Sequence, residues 1–394
     1  MDLETVQLLL SPDGERILDE ARLLEGSLLT RLTALRKRCP ARVAGAALSL
    51  LDLRKRATRK FSRAGRMFFT PEALEQASSE TVSAYRAERF KKNACVLDLA
   101  CGIGGDTIGL AGRCSVTAVD RDPVRIAMAK RNVKVYGLSE RVKFTCADVA
   151  EIPLDADAAF LDPSRRIGAR RTVRLDQMSP STEFLHRLIA SIPNAAIKLS
   201  PATDYAEMES LGGEIEFISE SGECKEALVW LGDFMTASKR ATVLPSRDTL
   251  IFEETPEVAV GMPGRYLYEP DACVIRAHLI EHLANRIGAW KVDERIAYLS
   301  SDALVSTPFA DAYEVLDSLP FNLRLVSQHL NAMSAGRVIV KKRGVPFEPR
   351  EIEKKLKTKG RRELVLVLTR VSDKLHALIC VPVAAGAAGE SGEQ

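Results

Sequence analysis

The stretch that most constrains the fold is Val96-Leu97-Asp98-Leu99-Ala100-Cys101-Gly102-Ile103-Gly104-Gly105-Asp106. An apolar strand ends near an acid, and a glycine-rich turn then opens into a helical pattern. Glycine belongs where a turn needs φ > 0 or where a ligand must approach the backbone. Strand, glycine turn and helix in that order predict an α/β fold with a parallel sheet covered on both faces. The turn is not the dinucleotide fingerprint, because G-x-G-x-x-G would require a third glycine where Thr107 stands. Asp98 would also repel a pyrophosphate, whereas it suits a ligand that carries an ammonium group.

The chain downstream keeps the alternation. Strands are predicted at 95–100, 115–119, 141–146, 156–161 and 195–199, and helices at 105–113, 123–136, 181–191 and 203–210. The second strand ends in Asp120, 22 residues after Asp98, where an acid can accept both hydroxyls of a ribose. The third ends in Cys146-Ala147-Asp148, where an acid can accept the exocyclic amine of an adenine. Each acid alone is as readily an ordinary loop residue. At successive strand ends they outline an amine, a ribose and an adenine in order. Further on, 214–220 and 226–233 read as an antiparallel hairpin turning at Ser221-Gly222-Glu223, and 241–244 with 249–252 as another. Residues 1–90 read as helical, with a break at Ser11-Pro12-Asp13-Gly14, a helix over Ala44–Leu53, and a cap at Thr70 with Pro71 at the first helical position. After a Pro/Gly-rich linker at 255–264, one helix is predicted over Ala272–Ile287, with short strands at 296–299 and 304–306. A strand at 337–342, a helix at 349–358 and strands at 363–370 and 376–381 complete the pattern.

On these residues, 94–235 resembles the class I S-adenosylmethionine (SAM)-dependent methyltransferases. Within them it is similar to the trimethylguanosine synthases and related RNA guanine-N2 methyltransferases, which carry a C-G-x-G-G-[ND]-T loop and an upstream T-P-E segment, here Cys101–Thr107 and Thr70-Pro71-Glu72. The resemblance implies a Rossmann-like sheet and SAM as cofactor. It implies cofactor contacts from Asp98, Ala100, Gly102, Gly104, Gly105 and Asp106, from Asp120 and Arg121 beside the ribose, and from Asp148 and Val149 beside the adenine. On the substrate side it implies Phe69, Thr70 and Pro71, although Phe68-Phe69 can equally pack in a core. Val340-Lys341-Lys342-Arg343-Gly344 and Leu364–Thr369 resemble the THUMP-like domain of a bacterial branch of these enzymes, and THUMP domains proper bind RNA. Tyr268-Glu269-Pro270-Asp271 falls in a stretch similar to that branch's small ferredoxin-like segment. The expected layout is a basic helical region at 1–90, the methyltransferase domain at 91–255, the ferredoxin-like α+β segment at 265–310, the THUMP-like α+β domain at 311–383, and a disordered tail at 384–394.

The fourth strand ends in Asp162-Pro163-Ser164-Arg165-Arg166. Class I enzymes that methylate amines carry [DN]-P-P-[YFW] here. An exocyclic amine is a poor nucleophile while its lone pair is conjugated into the ring. A carboxylate and a backbone carbonyl can take its two N–H groups and aim the lone pair, which is catalysis by positioning. Asp162 and Pro163 are the expected catalytic pair. Ser164 and Arg165 replace the second proline and the aromatic. Stacking then falls to the Arg165 guanidinium or to another residue, or else Arg165 and Arg166 hold a phosphate. D-P-S-R also resembles the RNA uracil-C5 methyltransferases, whose cysteine nucleophile follows the fifth strand. Here that place reads Lys198-Leu199-Ser200-Pro201-Ala202, so nitrogen is preferred to carbon as the acceptor.

Charge points to the partner. Residues 31–66 hold twelve Lys/Arg against Asp52 alone, a net of +11. Residues 337–370 hold twelve Lys/Arg against four acids, a net of +8, which leaves −16 for the rest of a chain whose total is +3. Two basic zones on an acidic body predict a polyanion, namely structured RNA such as a tRNA or rRNA. The alternative is a solvated helix face in which Glu351 pairs with Lys354 or Lys355. Competing functions are methylation of a small molecule or protein, and RNA binding without catalysis. The eight cysteines form no C-x-x-C pair and are expected to be buried, reduced thiols. His278 and His282 lack further ligands, so no metal is expected. With no apolar run of about 20 residues and acids at the very start, neither a membrane span nor a signal peptide is expected, and the cytoplasm is the expected compartment.

Overall fold

A computed structural model describes residues 1–164, 166–167 and 170–383. Chain contacts divide it into two units, Met1–Ile215 with Glu226–Thr236, and Glu216–Lys225 with Ala237 onward.

The first unit begins with helices α1 (Leu3–Leu10), α2 (Pro12–Leu23), α3 (Leu28–Leu35), α4 (Ala41–Ala57), α5 (Pro71–Gln76) and α6 (Glu80–Ala87). The break at Ser11 is a corner: Ser11 ends α1 and caps α2 through Gly14 N–H, with Pro12 at the first helical position. Gly14 is required there, because a Cβ would lie 2.1 Å from Leu8 O. Thr70 caps α5 from its side chain with Pro71 at the first position, as predicted. Apolar residues of α1, α2 and α4 meet Phe61, Phe68 and Phe69 in one core with Ile103, Ile108, Met128 and Val133. The N-terminal helices are thus packed into the nucleotide-fold part of this unit.

That part contains β1 (Cys95–Leu99), α7 (Gly105–Ala111), β2 (Ser115–Asp120), α8 (Pro123–Val135), β3 (Val142–Cys146) and β4 (Ala158–Leu161). A two-stranded hairpin of β5 (Arg166–Ile167) and β6 (Arg170–Arg171) follows, then α9 (Thr182–Ser191), β7 (Ala195–Leu199), α10 (Tyr205–Glu209), β8 (Glu214–Glu220) and β9 (Glu223–Trp230), of which Glu216–Lys225 counts with the second unit. The strand order is β9-β7-β4-β1-β2-β3. Strands β7 to β3 are parallel and β9 runs antiparallel to β7. A parallel sheet puts every strand's C-terminal end on one edge, so Asp98, Asp120, Asp148 and Asp162 share that edge. Helices α6 and α7 approach closely at Gly109, where a Cβ would lie 2.6 Å from Ser83 O.

The second unit adds β10 (Lys239–Leu244), β11 (Asp248–Ile251), β12 (Tyr266–Pro270), α11 (Ala272–Arg276), α12 (Ile280–Ile287), β13 (Trp290–Lys291), β14 (Leu299–Ser301), β15 (Ala310–Pro320), α13 (Leu323–Ala332), β16 (Ala335–Lys342), α14 (Pro349–Lys355), β17 (Arg362–Val371) and β18 (Lys374–Pro382). Its seven-stranded sheet has the order β13-β14-β12-β15-β18-β17-β16.

Three expectations change here. The predicted helix over 272–287 is two helices, because His278 takes φ +57° and breaks the ladder between them. The strands predicted at 296–299 and 304–306 give way to β14 at 299–301, and 304–306 is not a strand. The eight thiols are free, but Cys95 and Cys146 are exposed rather than buried. Cys95 opens its strand, and Cys146 ends β3, the last strand in the first unit's order. No helix among the described residues is long and apolar enough to cross a membrane.

Asn132 on α8 is fully buried. Its amide accepts from Phe68 N–H at 2.7 Å and donates to Phe68 O at 3.0 Å and Ile103 O at 2.9 Å. It thereby ties the helical region to the glycine loop. Asn132→Ala leaves these backbone groups unmatched in the core. Denaturant unfolding is expected to report a loss of about 2–3 kcal/mol with an unchanged m-value. A loss below about 0.5 kcal/mol would mean that the amide does not hold the two segments together.

Candidate functional site

Backbone geometry explains the glycine loop. Ala100, Gly102 and Gly104 all take left-handed φ, +62°, +57° and +82°. A Cβ at Gly102 would meet nothing within 4 Å, so the loop presents bare backbone to open space there. Asp120, nearly buried, accepts from Gly102 N–H and Asp122 N–H, both at 2.9 Å. Cys101 N–H donates to Val119 O at 2.9 Å. Asp120 therefore also shapes the loop, a role its position at a strand end did not announce.

Asp98 is 1% exposed. The Thr107 hydroxyl donates to its Oδ2, while its Oδ1 is buried with no hydrogen-bond partner among the described residues. Burial, reinforced by Asp106, pushes this carboxyl up to about 8 against the opposing Thr107 bond. Asp148 is exposed and caps the Val149–Glu151 turn through Ala150 N–H at 2.9 Å. Val149 is buried and Arg121 exposed.

Gly105 and Asp106 face inward. A Cβ at Gly105 would touch Ala77 and Ser78 O at 3.5 Å. Asp106 pairs with Arg86 Nη2 of α6. Arg86 is 2% exposed, lies 3.3 Å from Glu226 Oε1 through Nε, and sits 4.7 Å above the Phe160 ring. Burial alone would depress Arg86, but Asp106, Glu226 and Asp162 hold it above its ordinary value. The same burial raises Glu226, against Arg86 and Lys198.

At the tip of β4, Asp162 Oδ2 accepts from Lys198 Nζ at 2.6 Å, and Lys198 also donates to Ser78 Oγ at 3.0 Å. Lys198 is buried. The carboxylates of Asp162, Asp106 and Glu226 outweigh its desolvation and keep it above the usual lysine value. Pro163 is buried, and Ser164 and Ser179 exchange two backbone hydrogen bonds at 2.7 and 3.0 Å. Arg165 lies outside the described residues, and the Arg166 backbone pairs with Arg171.

Phe69 is fully buried, its ring 5.9 Å from Phe61, so the packing alternative is the one realised. Thr70 spends its hydroxyl on the α5 cap, with Pro71 exposed beside it.

The edge thus unites Asp98, Asp120, Asp162 and the open loop at Gly102, with Asp148 at the tip of β3. It turns Gly105, Asp106 and Phe69 toward the interior. Sequence reasoning missed Arg86, Ser78, Glu226 and Lys198. Lys198 and Glu226 carried a signal, since each is a charge inside or beside an apolar run of a central strand, Ala195–Leu199 and Ala227–Trp230. Arg86 sits among ordinary helical polar residues and carried none.

An orphaned buried carboxylate oxygen beside a bare-backbone loop fits a ligand with a cationic amine and a nucleoside body. Asp98 would hold the amine, the Ala100–Gly104 backbone the amino-acid portion, and Asp120 the sugar. An α/β sheet with such an edge defines a nucleotide-type cofactor site of the class I methyltransferase kind. Comparison with known proteins agrees. The family model for RNA cap guanine-N2 methyltransferase matches residues 93–209, that for a THUMP domain-like family matches 310–382, and a domain of unknown function matches 2–57. An uncharacterized SAM-dependent methyltransferase of Mycobacterium tuberculosis H37Rv is 34% identical over 326 residues, 80% of this chain and 88% of that protein. Trimethylguanosine synthase of Schizosaccharomyces pombe is 37% identical over 83 residues, 21% of this chain and 33% of that protein. A crystal structure from Porphyromonas gingivalis W83, described as that of a candidate methyltransferase, superposes with a TM-score of 0.80 at 21% identity, over 98% of this chain and all of that one. The chain belongs to the SAM-dependent methyltransferases, and SAM is its cofactor.

The raised Asp98 carboxyl makes a signed prediction. A carboxyl that keeps its proton in the folded state up to about pH 8, but loses it near 4 when unfolded, costs stability as pH rises between those values. Asp98→Asn removes that dependence. Its denaturation midpoint should fall less than that of the wild type from pH 5 to pH 8, and at pH 8 the variant should be the more stable by a few kcal/mol at most. Parallel pH profiles would show that Asp98 is not the titrating group.

Proposed function

We propose that this chain is an RNA N-methyltransferase whose acceptor is an exocyclic amine of a nucleobase, oriented by Asp162 and the Pro163 carbonyl. The observation that carries this reading is the Asp162–Lys198 pair at the tip of β4, on the same sheet edge as the loop and Asp98. Lys198 takes one carboxylate oxygen, Oδ2, and fixes the plane of the group. Oδ1 is then available to accept one N–H of an acceptor amine, and the Pro163 carbonyl the other. This holds the lone pair out of conjugation and in line for attack. The bound cofactor supplies the electrophilic methyl group. A charged lysine at this position disfavours an aliphatic ammonium as acceptor by like-charge repulsion, which argues against a protein lysine substrate. The match to a guanine-N2 family, the THUMP domain-like match and the two basic zones favour RNA over a free small molecule.

Calorimetry should detect SAM or its demethylated product binding the wild type, with Asp120→Ala weaker by about 10- to 100-fold, the worth of a hydrogen bond to a charged group. Asp162→Ala should bind SAM within about threefold of the wild type yet transfer no labelled methyl to RNA from a strain lacking the gene. Nucleoside analysis of that RNA identifies the atom. Labelling that survives Asp162→Ala would remove this residue from the chemistry, and label found only in protein would remove RNA as the substrate.

A further inference from the structure

The basic zone of the second unit is two populations, and the structure separates them. Lys341 donates to Glu269 and to the Tyr313 hydroxyl, and Arg343 lies 3.5 Å from Glu269 and over the Tyr298 ring. Lys342 pairs with Glu348 at 2.6 Å, Arg337 with Glu363 at 3.1 Å, and Arg370 with Asp373 at 3.3 Å. These five cations are neutralised inside their own unit. Residues 350–362 differ. They hold seven cations against Glu351 and Glu353, a net of +5. Among the described residues none of the seven has an ion pair, and all are exposed. The i,i+4 pairing of Glu351 with Lys354 or Lys355 that the sequence allows is not formed.

The segment is nonetheless fixed. Ile352 and Leu356 are buried in the core of this unit. Thr358 Oγ1 donates to Gly336 O at 2.6 Å, Asn331 Nδ2 donates to Lys357 O at 3.1 Å, and Gly360 N–H donates to Ala335 O at 2.7 Å. Gly360 is packed so closely that a Cβ would lie 1.8 Å from Ser334 O. Its cations are thus presented by pinned backbone. Unpaired, outward cations on a fixed backbone keep the unit under mutual repulsion that an external polyanion relieves. No aromatic residue and no exposed large apolar side chain lies within 350–362, so the ridge offers no aromatic ring to stack on a base and nothing to insert into a lipid surface.

Resting on the RNA reading above, we infer that residues 350–362 form a docking ridge for the phosphate backbone of a structured RNA. Lys354, Lys355, Lys357, Lys359, Arg361 and Arg362 make contacts that do not read sequence, and the strand around Lys341–Arg343 does not take part. Contacts of this type position the RNA and leave base choice to the methyl-transfer site.

The test uses the full chain, an unmodified transcribed tRNA and filter binding between about 50 and 200 mM salt. The wild type should show a steep fall of log affinity with log salt, and an unrelated structured RNA of the same length should bind within a few-fold. K354Q/K355Q/K357Q/K359Q should lower the slope by about 3 to 4 and weaken binding about tenfold or more at the lower salt, with SAM affinity by calorimetry unchanged. The control R337Q/K342Q, which touches only paired cations, should keep the wild-type slope. A quadruple variant with the wild-type slope overturns this inference alone. A wild type that binds SAM but no RNA overturns the RNA reading as well. Binding to anionic phosphatidylglycerol vesicles that is lost in the quadruple variant, without RNA binding, assigns the ridge to a membrane and overturns it too.

Discussion

The first unit depends on one buried arrangement of charge. Beneath the glycine loop, Arg86 and Lys198 face Asp106, Asp162 and Glu226, and Arg86 also acts on Asp98. Burying any of these ions alone would cost several kcal/mol, and removing one member of a buried pair strands the other at about 3–5 kcal/mol. The cluster is tolerable only because its members come from separate elements that close on one another: α6, the tip of β4, α7, and the central strands β1, β7 and β9. This gives the N-terminal helices a function beyond packing. They bring Arg86 to Asp106 and Ser78 to Lys198. A sheet without them would hold its carboxylates with one cation fewer, and the edge that carries the site would not keep its shape.

The same arrangement divides the acids of the edge by role. Asp106 was grouped with the loop residues by sequence, yet its carboxylate is spent on Arg86 and holds α7 in place. Asp120 is spent in part on the Gly102 amide and so shapes the surface it also lines. Asp162 is clamped by Lys198. Asp98 alone retains a buried oxygen with nothing to accept from. Four acids that look alike in sequence therefore differ in what they have left to offer a ligand, and the difference comes from the partners that folding supplies.

That difference marks the limit of what the chain discloses before it folds. The strand–loop–helix run, the acids at 98, 120, 148 and 162, and the Thr70–Pro71 cap were legible because each rests on local rules of periodicity, backbone conformation and capping. Strand β15 was not. Ala310–Pro320 carries an acid at three of its eleven positions and lacks a continuous apolar run. It is a strand because β12 and β18 pair on either side of it, with an irregularity between Val315 and Asp317. The split of 272–287 turns on the φ of His278, which no periodicity encodes. Arg86 was invisible for a similar reason, since its partners Asp106 and Glu226 stand 20 and 140 residues away. Charge was legible as totals and not as pairs. The zones at 31–66 and 337–370 were plain, but only folding decides which cations are spent. In the first zone Arg54 donates to Met67 O, Arg63 to Val135 O, and Lys60 to the carbonyls of Leu74, Glu75 and Ala77.

Stability and function pull against each other at Asp98. A carboxyl pushed up by burial and by its acidic neighbour destabilises the folded chain at neutral pH, and a protein selected only to fold would carry an asparagine or an apolar residue there. A cationic amine placed against Asp98 would reverse the sign. A ligand's positive charge would supply the missing partner, and Asp98 would give up its proton as it became the counter-ion, so that the repulsion from Asp106 would fall on a compensated charge. Lys198 is placed differently, at the tip of β4, where its pairing with Asp162 is complete in the folded chain. The site is therefore asymmetric by construction. At the glycine loop Asp98 Oδ1 has no partner among the described residues, whereas at the tip of β4 Asp162 already has Lys198, so positive charge is scarcer at the loop than at the tip.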